Sequence, residues 1–485
     1  MTSKDDLRIA VIGAGPAGLA AAHELMEQGF HNFTIFEKAG AVGGTWHNHT
    51  YPGLACDLWA HSYTFSYRPN PDWSASFVDQ PEIEVYLQQC AREFGLEPKL
   101  ILNTRIIRAE FTDEKCWLLS DDTGHTFETD VIINAMGNQH TPQFPDVPGI
   151  ESFTGEYFHG TRWRHDVDMR DKRVAIIGSA ASAIQITPEL AKVVKHLTVL
   201  QRTPNWIMSR GRKFYSERTK SLFNRWPSLL GLYRKMQDFM MGVVLDGVTI
   251  GHNRMAQFEA MAHKFIDQTI DDESLREKVR PSGHYGCKRG LVSDDFYPAL
   301  QRDNVELLAE GLKEVRPRGI TTVSGKEIDV DVIVYCTGYR MMDYDRIEVI
   351  GLQNRLLANM MAQAPQAYKG IAVPHFPNYF FAAGPNALAI NVSYFTNVER
   401  NSKTIVNLLS GKQQEGWAAI AVRENANAEY NAFLSDKFKT YSWGNPSCNS
   451  YYRTEDGHAP FLFPGGIKEY KALHEATGLQ DFEAA

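Results

Sequence analysis

Gly13-Ala14-Gly15-Pro16-Ala17-Gly18 follows an apolar run over residues 7–12 and precedes a helical pattern over residues 17–28. A GxGxxG spacing between a strand and a helix is typical of a dinucleotide-binding fold. The first glycine makes the turn, the second admits a pyrophosphate, and the third lets the helix pack closely. The phosphates would meet the free N–H groups and the dipole at the start of the helix. We therefore predict a dinucleotide site, rather than a glycine turn without a ligand, with contacts from Gly13, Gly15, Pro16, Ala17 and Gly18.

An acidic residue ends the next predicted strand. Residues 33–36 form a second apolar run, and Glu37 and Lys38 follow it directly. A carboxylate at this place accepts hydrogen bonds from the ribose hydroxyls of a bound dinucleotide. Glu37 and Lys38 are therefore predicted to be cofactor contacts.

The same pattern returns in the middle of the chain. The apolar run over residues 173–177 is followed by Gly178-Ser179-Ala180-Ala181-Ser182-Ala183 and a helical pattern through Ala191. Alanine replaces two of the three glycines, but a small side chain remains where the phosphates would approach most closely. We predict a second nucleotide site formed by Gly178, Ser179, Ala180 and Ser182; the alternative is a βαβ unit without a ligand.

A cation and a hydroxyl follow the next predicted strand. Residues 197–200 lead into Gln201-Arg202-Thr203, where sites selective for NAD carry a carboxylate. A guanidinium at this place pairs with the 2′-phosphate of NADPH. We therefore predict that Arg202 and Thr203 contact NADPH, although a surface arginine in a salt bridge would give the same sequence.

Two dinucleotide folds in one chain indicate a flavin that stays bound and a nicotinamide that delivers hydride. Two further apolar runs, residues 131–135 and 329–335, each end in a glycine turn and bracket the second fold. We predict an α/β protein with two Rossmann-like domains, the second inserted in the first. The FAD domain would comprise residues 1–150 and 340–485, and the NADP domain residues 151–339, with a helical insertion at about 210–280.

Composition excludes several classes of protein. The 485 residues are 43% hydrophobic and 22% charged, which suits a folded globular chain and argues against disorder or a coiled coil. A net charge of −8 provides no general basic field for nucleic acid or anionic membranes. The longest stretch without charge, residues 371–398, contains prolines, glycines and asparagines that disfavour a transmembrane helix. We expect neither nucleic acid nor membrane as a partner.

The six cysteines show no CxxC pair and no zinc-like spacing. We therefore expect no metal site, no disulfide framework and no dithiol centre at Cys56 or Cys287. The N-terminal residues lack the basic and apolar regions of a secretory signal. A reducing, cytoplasmic location is the expectation.

Two motifs resemble those of type I Baeyer–Villiger monooxygenases. Gly43-Gly44-Thr45-Trp46, Tyr51-Pro52-Gly53 and Asp57 resemble the GGxWxxxxYPGxxxD signature, and residues 153–163 resemble the FxGxxxHxxxW fingerprint. The tracts around Tyr63 and around Cys287-Lys288-Arg289 are also similar, and the resemblance spans about residues 9–465. The sequence departs from the pattern at Arg164, where proline or aspartate is usual, and at Ala180 and Ala183.

The resemblance implies FAD and NADPH as cofactors, and O2 and a ketone as substrates. In that family NADPH reduces FAD, a flavin peroxide forms with O2, and this species attacks the ketone carbonyl to give an ester or lactone. It implies that Arg289 is the active-site arginine, that Asp57 orients it, and that Lys288 is a second contact to the 2′-phosphate. His159 would act through domain movement rather than by contact with substrate. Further cofactor contacts implied by the resemblance are Gly44, Thr45, Trp46, Asp57 and Tyr63.

Several alternatives stay open at the level of sequence. A related flavin monooxygenase would oxygenate nitrogen or sulfur, and a nucleotide-binding redox sensor would turn nothing over. Lys288 and Arg289 are also consistent with an exposed basic pair, Asp57 with a turn or helix-cap residue, and Trp46 with a core side chain. The ketone and the oligomeric state are not encoded in these motifs.

Residues 210–239 contain eight basic and two acidic side chains. Such a segment binds nucleic acid or membranes in some proteins. The interpretation we favour is a solvated face of a helical insertion. The apolar residues of the segment follow a packing periodicity and are expected to be buried: Phe214, Leu222, Leu229, Leu232 and Met236. Residues 240–245 would line a substrate pocket or fill core. Asn391, Ser393, Tyr394 and Phe395 are predicted to border the substrate cavity.

Overall fold

Two sheets of parallel strands form the framework of the computed structural model, which describes residues 4–341, 343–445, 448, 453–454 and 459–485. The strands in chain order are β1 Ile9–Ile12, β2 Phe33–Phe36, β3 Leu100–Ile101, β4 Ile106–Phe111, β5 Trp117–Asp121, β6 Thr126–Thr129, β7 Val131–Asn134, β8 Glu156–His159, β9 Arg173–Ile177, β10 His196–Leu200, β11 Ile207–Met208, β12 Leu291–Val292, β13 Val305–Leu308, β14 Leu312–Arg316, β15 Gly319–Thr322, β16 Glu327–Asp329, β17 Val332–Tyr335, β18 Glu348–Ile350, β19 Tyr379–Phe381, β20 Ile420–Val422 and β21 Phe482–Ala484.

The helices surround these sheets. They are α1 Pro16–Glu27, α2 Thr45–Asn48, α3 Gln80–Glu93, α4 Ala181–Leu190, α5 Glu217–Arg225, α6 Pro227–Gly247, α7 Asn253–Thr269, α8 Glu273–Val279, α9 Phe296–Leu300, α10 Leu357–Gln363, α11 Tyr394–Gln414, α12 Glu424–Phe438 and α13 Ile467–Glu475. Among the described residues, no helix combines the length and apolarity that crossing a bilayer requires.

The two sheets share one plan. The first has the strand order β19-β7-β1-β2-β3 and the second β13-β10-β9-β17-β8, and all their pairings are parallel. In each sheet the strand that precedes a glycine turn is central. Because β19 joins the first sheet after the second is complete, the second lies within the first along the chain. The predicted α/β fold with two Rossmann-like units is confirmed; the domain limits at residues 150 and 340 stay a prediction.

The central strands are buried on both faces, as parallel strands require. Every residue of β1, β7 and β17 is buried, and α11 packs with α1 on one side of the first sheet. The predicted strand over residues 329–335 is divided in the structure, because β16 ends at Asp329 and β17 begins at Val332. Smaller antiparallel sheets complete the framework: β18-β4-β5-β6, in which only the β18–β4 pairing is parallel, and β14-β15-β16.

Both turn glycines are held against the end of a neighbouring strand. Gly13 has a φ of +108°, and a Cβ there would lie 2.7 Å from the carbonyl oxygen of Ala135. Gly178 has a φ of +112°, and a Cβ there would lie 2.5 Å from the carbonyl oxygen of Cys336. Only glycine tolerates both the dihedral angle and the contact. The turns after β7 and β17 therefore occupy matching places in the two sheets.

We expected no disulfide framework, and the structure contains a single disulfide. Cys287 and Cys448 are bonded, with their Cα atoms 5.5 Å apart and a sequence separation of 161. The other four cysteines are free and buried. The pair has no spacing motif because tertiary folding, rather than local sequence, brings its members together.

The expected burial of five apolar residues in the helical segment was also wrong. Phe214, Leu222, Leu229, Leu232 and Met236 are all exposed. The four helices α5–α8 do occupy residues 217–279. The apolar face of α6 points outward, because other residues of that helix bind the body of the protein.

We expect Gly18→Ala to destabilise the first nucleotide fold. A Cβ at Gly18 would lie 1.9 Å from the carbonyl oxygen of Gly13, so that α1 must move away from the turn. Overpacking of this kind costs about 1–3 kcal/mol, measured as a fall in the midpoint of chemical unfolding. Gly242→Ala is the matched control, since nothing lies within 4 Å of its Cβ and its φ is helical. That control should stabilise the chain by about 0.5–1 kcal/mol; equal effects of the two changes would contradict the prediction.

Candidate active site

Two glycine motifs pack against each other at the start of α1. The Gly43 N–H donates to the carbonyl oxygen of Ala14 at 3.0 Å. Gly44 has a φ of +58°, and a Cβ there would lie 2.9 Å from Cα of Gly15. The first glycine motif and the GGxW motif are therefore parts of one loop cluster. Their lack of side chains leaves the backbone N–H groups at the start of α1 accessible to a phosphate.

Glu37 supports this cluster from the end of β2. Its buried carboxylate accepts the N–H groups of Ala14 and Ala39, each at 2.8 Å. A carboxylate has about four acceptor positions, so that capacity remains for ribose hydroxyls. The neighbouring Lys38 contacts the ring of His140, and burial lowers the pKa of Lys38 to about 8.

Trp46, which is buried, and Tyr63, which is half-buried, form a hydrogen-bonded pair. The indole Nε1–H of Trp46 donates to the Tyr63 hydroxyl at 3.0 Å, and the Tyr63 ring packs edge-on against Phe395, with centroids 4.8 Å apart. Burial raises the pKa of Tyr63 well above its ordinary value, which keeps the hydroxyl neutral. Trp46 therefore fills core while it orients Tyr63.

Two residues predicted to border the substrate cavity have local structural partners. Ser393 caps α11 by accepting the N–H of Thr396, and the Asn391 side-chain oxygen accepts the N–H of Ile467. Phe395 reaches Tyr63, as described above, and Tyr394 lies at the start of the same helix.

The second glycine turn is held by a residue that the sequence analysis missed. The side-chain amide of Asn205 donates to the carbonyl oxygen of Ser179 at 2.8 Å. Ala180 caps the N-terminus of α4 and is exposed, whereas Ala183 is fully buried at the place of the third glycine. A polar residue just beyond the predicted Arg202–Thr203 contact was the available signal for Asn205.

Arg202 and Lys288 come together from distant parts of the chain. Arg202 and Thr203 are exposed after β10, and Lys288 is half-buried. Burial lowers the pKa of Lys288, and the charge of Arg202 lowers it further. Two cations that repel each other in this way are stabilised by an anion between them.

Arg289 and Asp57 form an ion pair across the two halves of the chain. The Nη2 atom of Arg289 lies 2.7 Å from each carboxylate oxygen of Asp57. The side chains are 39% and 23% exposed, so solvent reaches the pair without surrounding it. Burial raises the pKa of the adjacent Cys56 thiol, which therefore stays uncharged. The guanidinium is fixed in place and remains cationic over the working pH range.

The signature residues also connect the two sheets. The Tyr51 hydroxyl donates to Gln185 on α4 at 3.1 Å, and a Cβ at Gly53 would lie 2.4 Å from the Gln185 carbonyl oxygen. A polar cleft of about 420 Å³ opens beside this contact and includes Arg210 and Arg212 in its wall. The YPG part of the signature therefore fixes where α4 lies.

His159 lies between the chain segments that join the two sheets. Its Nδ1 contacts the Thr161 hydroxyl at 2.8 Å, and its ring lies near those of Phe144 and Tyr339. Burial lowers the pKa of His159 to about 4, so the ring is neutral. Arg164, where the sequence departs from the family pattern, is half-buried and forms ion pairs with Glu156 and Asp166.

These residues fit two dinucleotides. Each site has a glycine turn, an accessible helix N-terminus and polar side chains beyond the second strand. The first adds an acceptor at Glu37, and the second adds cations at Arg202 and Lys288. Within the part of the chain that the structure describes, no group of three or more His, Cys, Asp or Glu side chains is placed to hold a metal.

Two nucleotide folds, with an arginine and carboxylate paired between them, define the class as a flavin- and nicotinamide-dependent oxidoreductase. The family model described as "Flavin-binding monooxygenase-like" matches residues 6–349. The chain belongs to this family.

The curated relatives agree with the predicted resemblance. The chain is 36% identical over 470 residues to a Baeyer–Villiger monooxygenase of Pseudomonas aeruginosa, covering 96% of this chain and 89% of the relative. It is 34% identical over 487 residues to a Baeyer–Villiger monooxygenase of Streptomyces coelicolor, covering 99% and 93%. The resemblance to type I Baeyer–Villiger monooxygenases is confirmed.

Solved structures show the same fold. Cyclohexanone monooxygenase from Rhodococcus sp. Phi1 bound to NADP+ superposes with a TM-score of 0.86 at 25% identity, covering 98% of both chains. A steroid monooxygenase bound to NADP gives 0.87 at 26% identity, covering 98% of this chain and 99% of that one. The OTEMO complex with FAD and NADP gives 0.88 at 25% identity and covers both chains completely.

We expect Arg202→Ala and Lys288→Ala each to raise KM for NADPH about tenfold or more, and to leave KM for NADH unchanged. Each removes a hydrogen bond between charged groups, worth about 1.5–3 kcal/mol, and only NADPH carries the 2′-phosphate. Steady-state kinetics with each nucleotide measures the ratio of KM for NADPH to KM for NADH. Arg170→Ala is the control, since Arg170 is exposed and paired with Asp168. An equal rise in KM for NADPH and NADH would show that these cations do not contact the 2′-phosphate.

Proposed function

We propose that the protein is an FAD- and NADPH-dependent Baeyer–Villiger monooxygenase, which inserts one oxygen atom of O2 next to a ketone carbonyl. The observation that carries the proposal is the ion pair between Arg289 and Asp57, beside two nucleotide folds. The names of the curated relatives support it. The reaction consumes a ketone, O2, NADPH and a proton, and it yields an ester or lactone, NADP+ and water.

The two nucleotide folds assign the cofactors. The loop cluster of Gly13, Gly15 and Gly44, with Glu37 beyond it, would hold FAD in a domain of residues 1–150 and 340–485. The turn at Gly178, with Arg202 and Lys288, would hold NADPH in a domain of residues 151–339. When bound, FAD accepts hydride from NADPH and passes the electrons to O2. The first glycine motif supports the assignment of FAD to the first domain, because its three glycines suit a cofactor that stays bound.

Arg289 supplies a fixed positive charge. Addition to a ketone carbonyl places negative charge on the carbonyl oxygen, and a pre-positioned cation stabilises that charge without reorganisation. Lysine in the same pocket would lose its proton more readily, whereas the guanidinium keeps its charge. Arg289 therefore acts on the oxygen that becomes anionic.

Asp57 is a positioning residue. Both of its carboxylate oxygens contact the Nη2 atom of Arg289, which holds the guanidinium in one orientation. The carboxylate also offsets part of the cost of keeping a cation in a partly dry cleft.

Lys288 and Arg289 serve different ligands. Lys288 is close enough to Arg202 for the two charges to interact, and Arg289 binds Asp57. A single short segment thereby links the recognition of NADPH to the placement of the active-site cation.

We expect Arg289→Ala to reduce FAD with NADPH at the wild-type rate and to form ester at least about a hundredfold more slowly. Loss of one group that stabilises an oxyanion has an effect of about that size. Stopped-flow absorbance follows reduction, and gas chromatography of a ketone panel follows the ester. Asp57→Asn should show a smaller loss in kcat than Arg289→Ala, with FAD reduction again unchanged.

The Arg289→Ala variant also distinguishes ketone oxygenation from oxygenation of sulfides or amines. Oxygenation of sulfides or amines needs no stabilised carbonyl oxyanion, so a protein built for that chemistry would keep its product yield in Arg289→Ala. Undiminished ester formation by Arg289→Ala would refute the role of the cation. A wild-type protein that consumes no O2 with NADPH and any ketone would instead be a nucleotide-binding sensor.

A further inference from the structure

Helix α6 directs two polar side chains toward the protein and several large apolar side chains toward solvent. Arg234 donates to the carbonyl oxygens of Thr64 and Phe65, and Gln237 accepts the N–H of Ser62. These contacts lie on the inward side of the helix with the buried Leu230 and Met241. An ordinary surface helix buries its large apolar side chains against the core and exposes its polar ones.

The outward side is a continuous apolar stripe, which we call the α6 stripe: Leu229, Leu232, Met236, Phe239, Met240 and Val243. At 3.6 residues per turn these side chains fall within an arc of about 100°. Leu232 is 66% exposed and Phe239 is 76% exposed. Among the described residues, packing leaves Leu229, Leu232, Met236, Phe239 and Met240 exposed and Val243 half-buried.

Exposed apolar residues concentrate in this region. Nineteen large hydrophobic residues of the described chain are exposed, and eight of them fall within residues 214–240. Phe214 and Trp226, at 74% and 54% exposure, are the exposed aromatic side chains of this segment that lie outside α6. Contiguous exposed apolar surface of this kind marks an interaction site in most proteins.

Basic side chains border the stripe. Residues 210–239 contain eight basic and two acidic residues, although the whole chain has a net charge of −8. The guanidinium of Arg212 lies 4.9 Å from the Phe214 ring, and that of Arg225 lies 6.0 Å from the Trp226 ring. Lys235 is exposed at the edge of the stripe. Arg225 and Lys235 form no ion pair with a carboxylate in the ranges that the structure describes.

This combination fits one partner. We propose that the α6 stripe and its basic border bind the surface of an anionic lipid membrane, with α6 lying in the plane of the interface. Helices that do so bury Leu, Phe and Trp side chains among the acyl chains and place Lys and Arg at the headgroups. The proposal revises the expectation of no membrane contact, and it is independent of the ketone chemistry.

Charge separates a membrane from a second copy of the chain. A symmetric dimer through the α6 stripe would bring two strongly basic segments face to face. An anionic bilayer instead attracts this segment and repels the acidic remainder of the molecule, which sets one orientation. Each Lys or Arg near such a surface strengthens binding about fivefold at moderate ionic strength.

Co-sedimentation of the full-length holoenzyme with vesicles tests the proposal. We expect binding to vesicles of mixed phosphatidylcholine and phosphatidylglycerol, weak binding to phosphatidylcholine alone, and loss of binding as salt is raised. Leu232→Glu and Phe239→Glu should each weaken binding at least tenfold. Arg225→Gln combined with Lys235→Gln should also weaken it more than tenfold, and only with anionic vesicles. NADPH oxidation in solution should be unchanged in all of them, which shows that they fold.

Val323→Glu is the matched control, because Val323 is 64% exposed and lies outside the segment. It should bind vesicles as the wild type does. Three results would overturn the proposal: no binding of the wild type to anionic vesicles, equal loss in Val323→Glu and Leu232→Glu, or a wild-type dimer in sedimentation velocity that Leu232→Glu dissociates while neither binds vesicles.

Discussion

The placement of both helix N-termini depends on the close approach of a turn glycine to the carbonyl end of a neighbouring strand. At Gly13 and again at Gly178 a side chain would collide with backbone, at Ala135 and Cys336 respectively. The collision is avoided only by glycine, and the turn then delivers a helix N-terminus to the open end of each sheet. Glu37 and Asn205 each support one of these turns with a side-chain hydrogen bond, to Ala14 and Ser179 respectively.

The second level of organisation joins the two nucleotide folds. Tyr51 and Gly53 fix the position of α4, and Asp57, a few residues later, holds Arg289 from the other half of the chain. One short signature segment thus sets both the relation between the sheets and the direction of the guanidinium. The cation proposed for the chemistry is therefore held by the same segment that joins the two sheets.

Sequence reasoning succeeded where local pattern and burial agree. The strands at residues 33–36 and 173–177 were predicted with correct limits, since each is a short apolar run with a polar or glycine boundary. The pairing of Arg289 with Asp57 followed from the family resemblance. The disulfide of Cys287 and the inward side of α6 were not predictable in this way. Periodicity defines an apolar arc on α6, but Arg234 and Gln237 decide which side faces inward through partners more than 150 residues away.

The order of strands has a consequence for biosynthesis. The first sheet begins at Ile9 and receives its edge strand β19 only at Phe381, whereas all five strands of the second sheet lie between Glu156 and Tyr335. During translation the second sheet is thus complete while the first sheet still lacks its edge strand. The ribosome therefore releases all strands of the second sheet before the first sheet is complete, although the first sheet starts earlier in the chain.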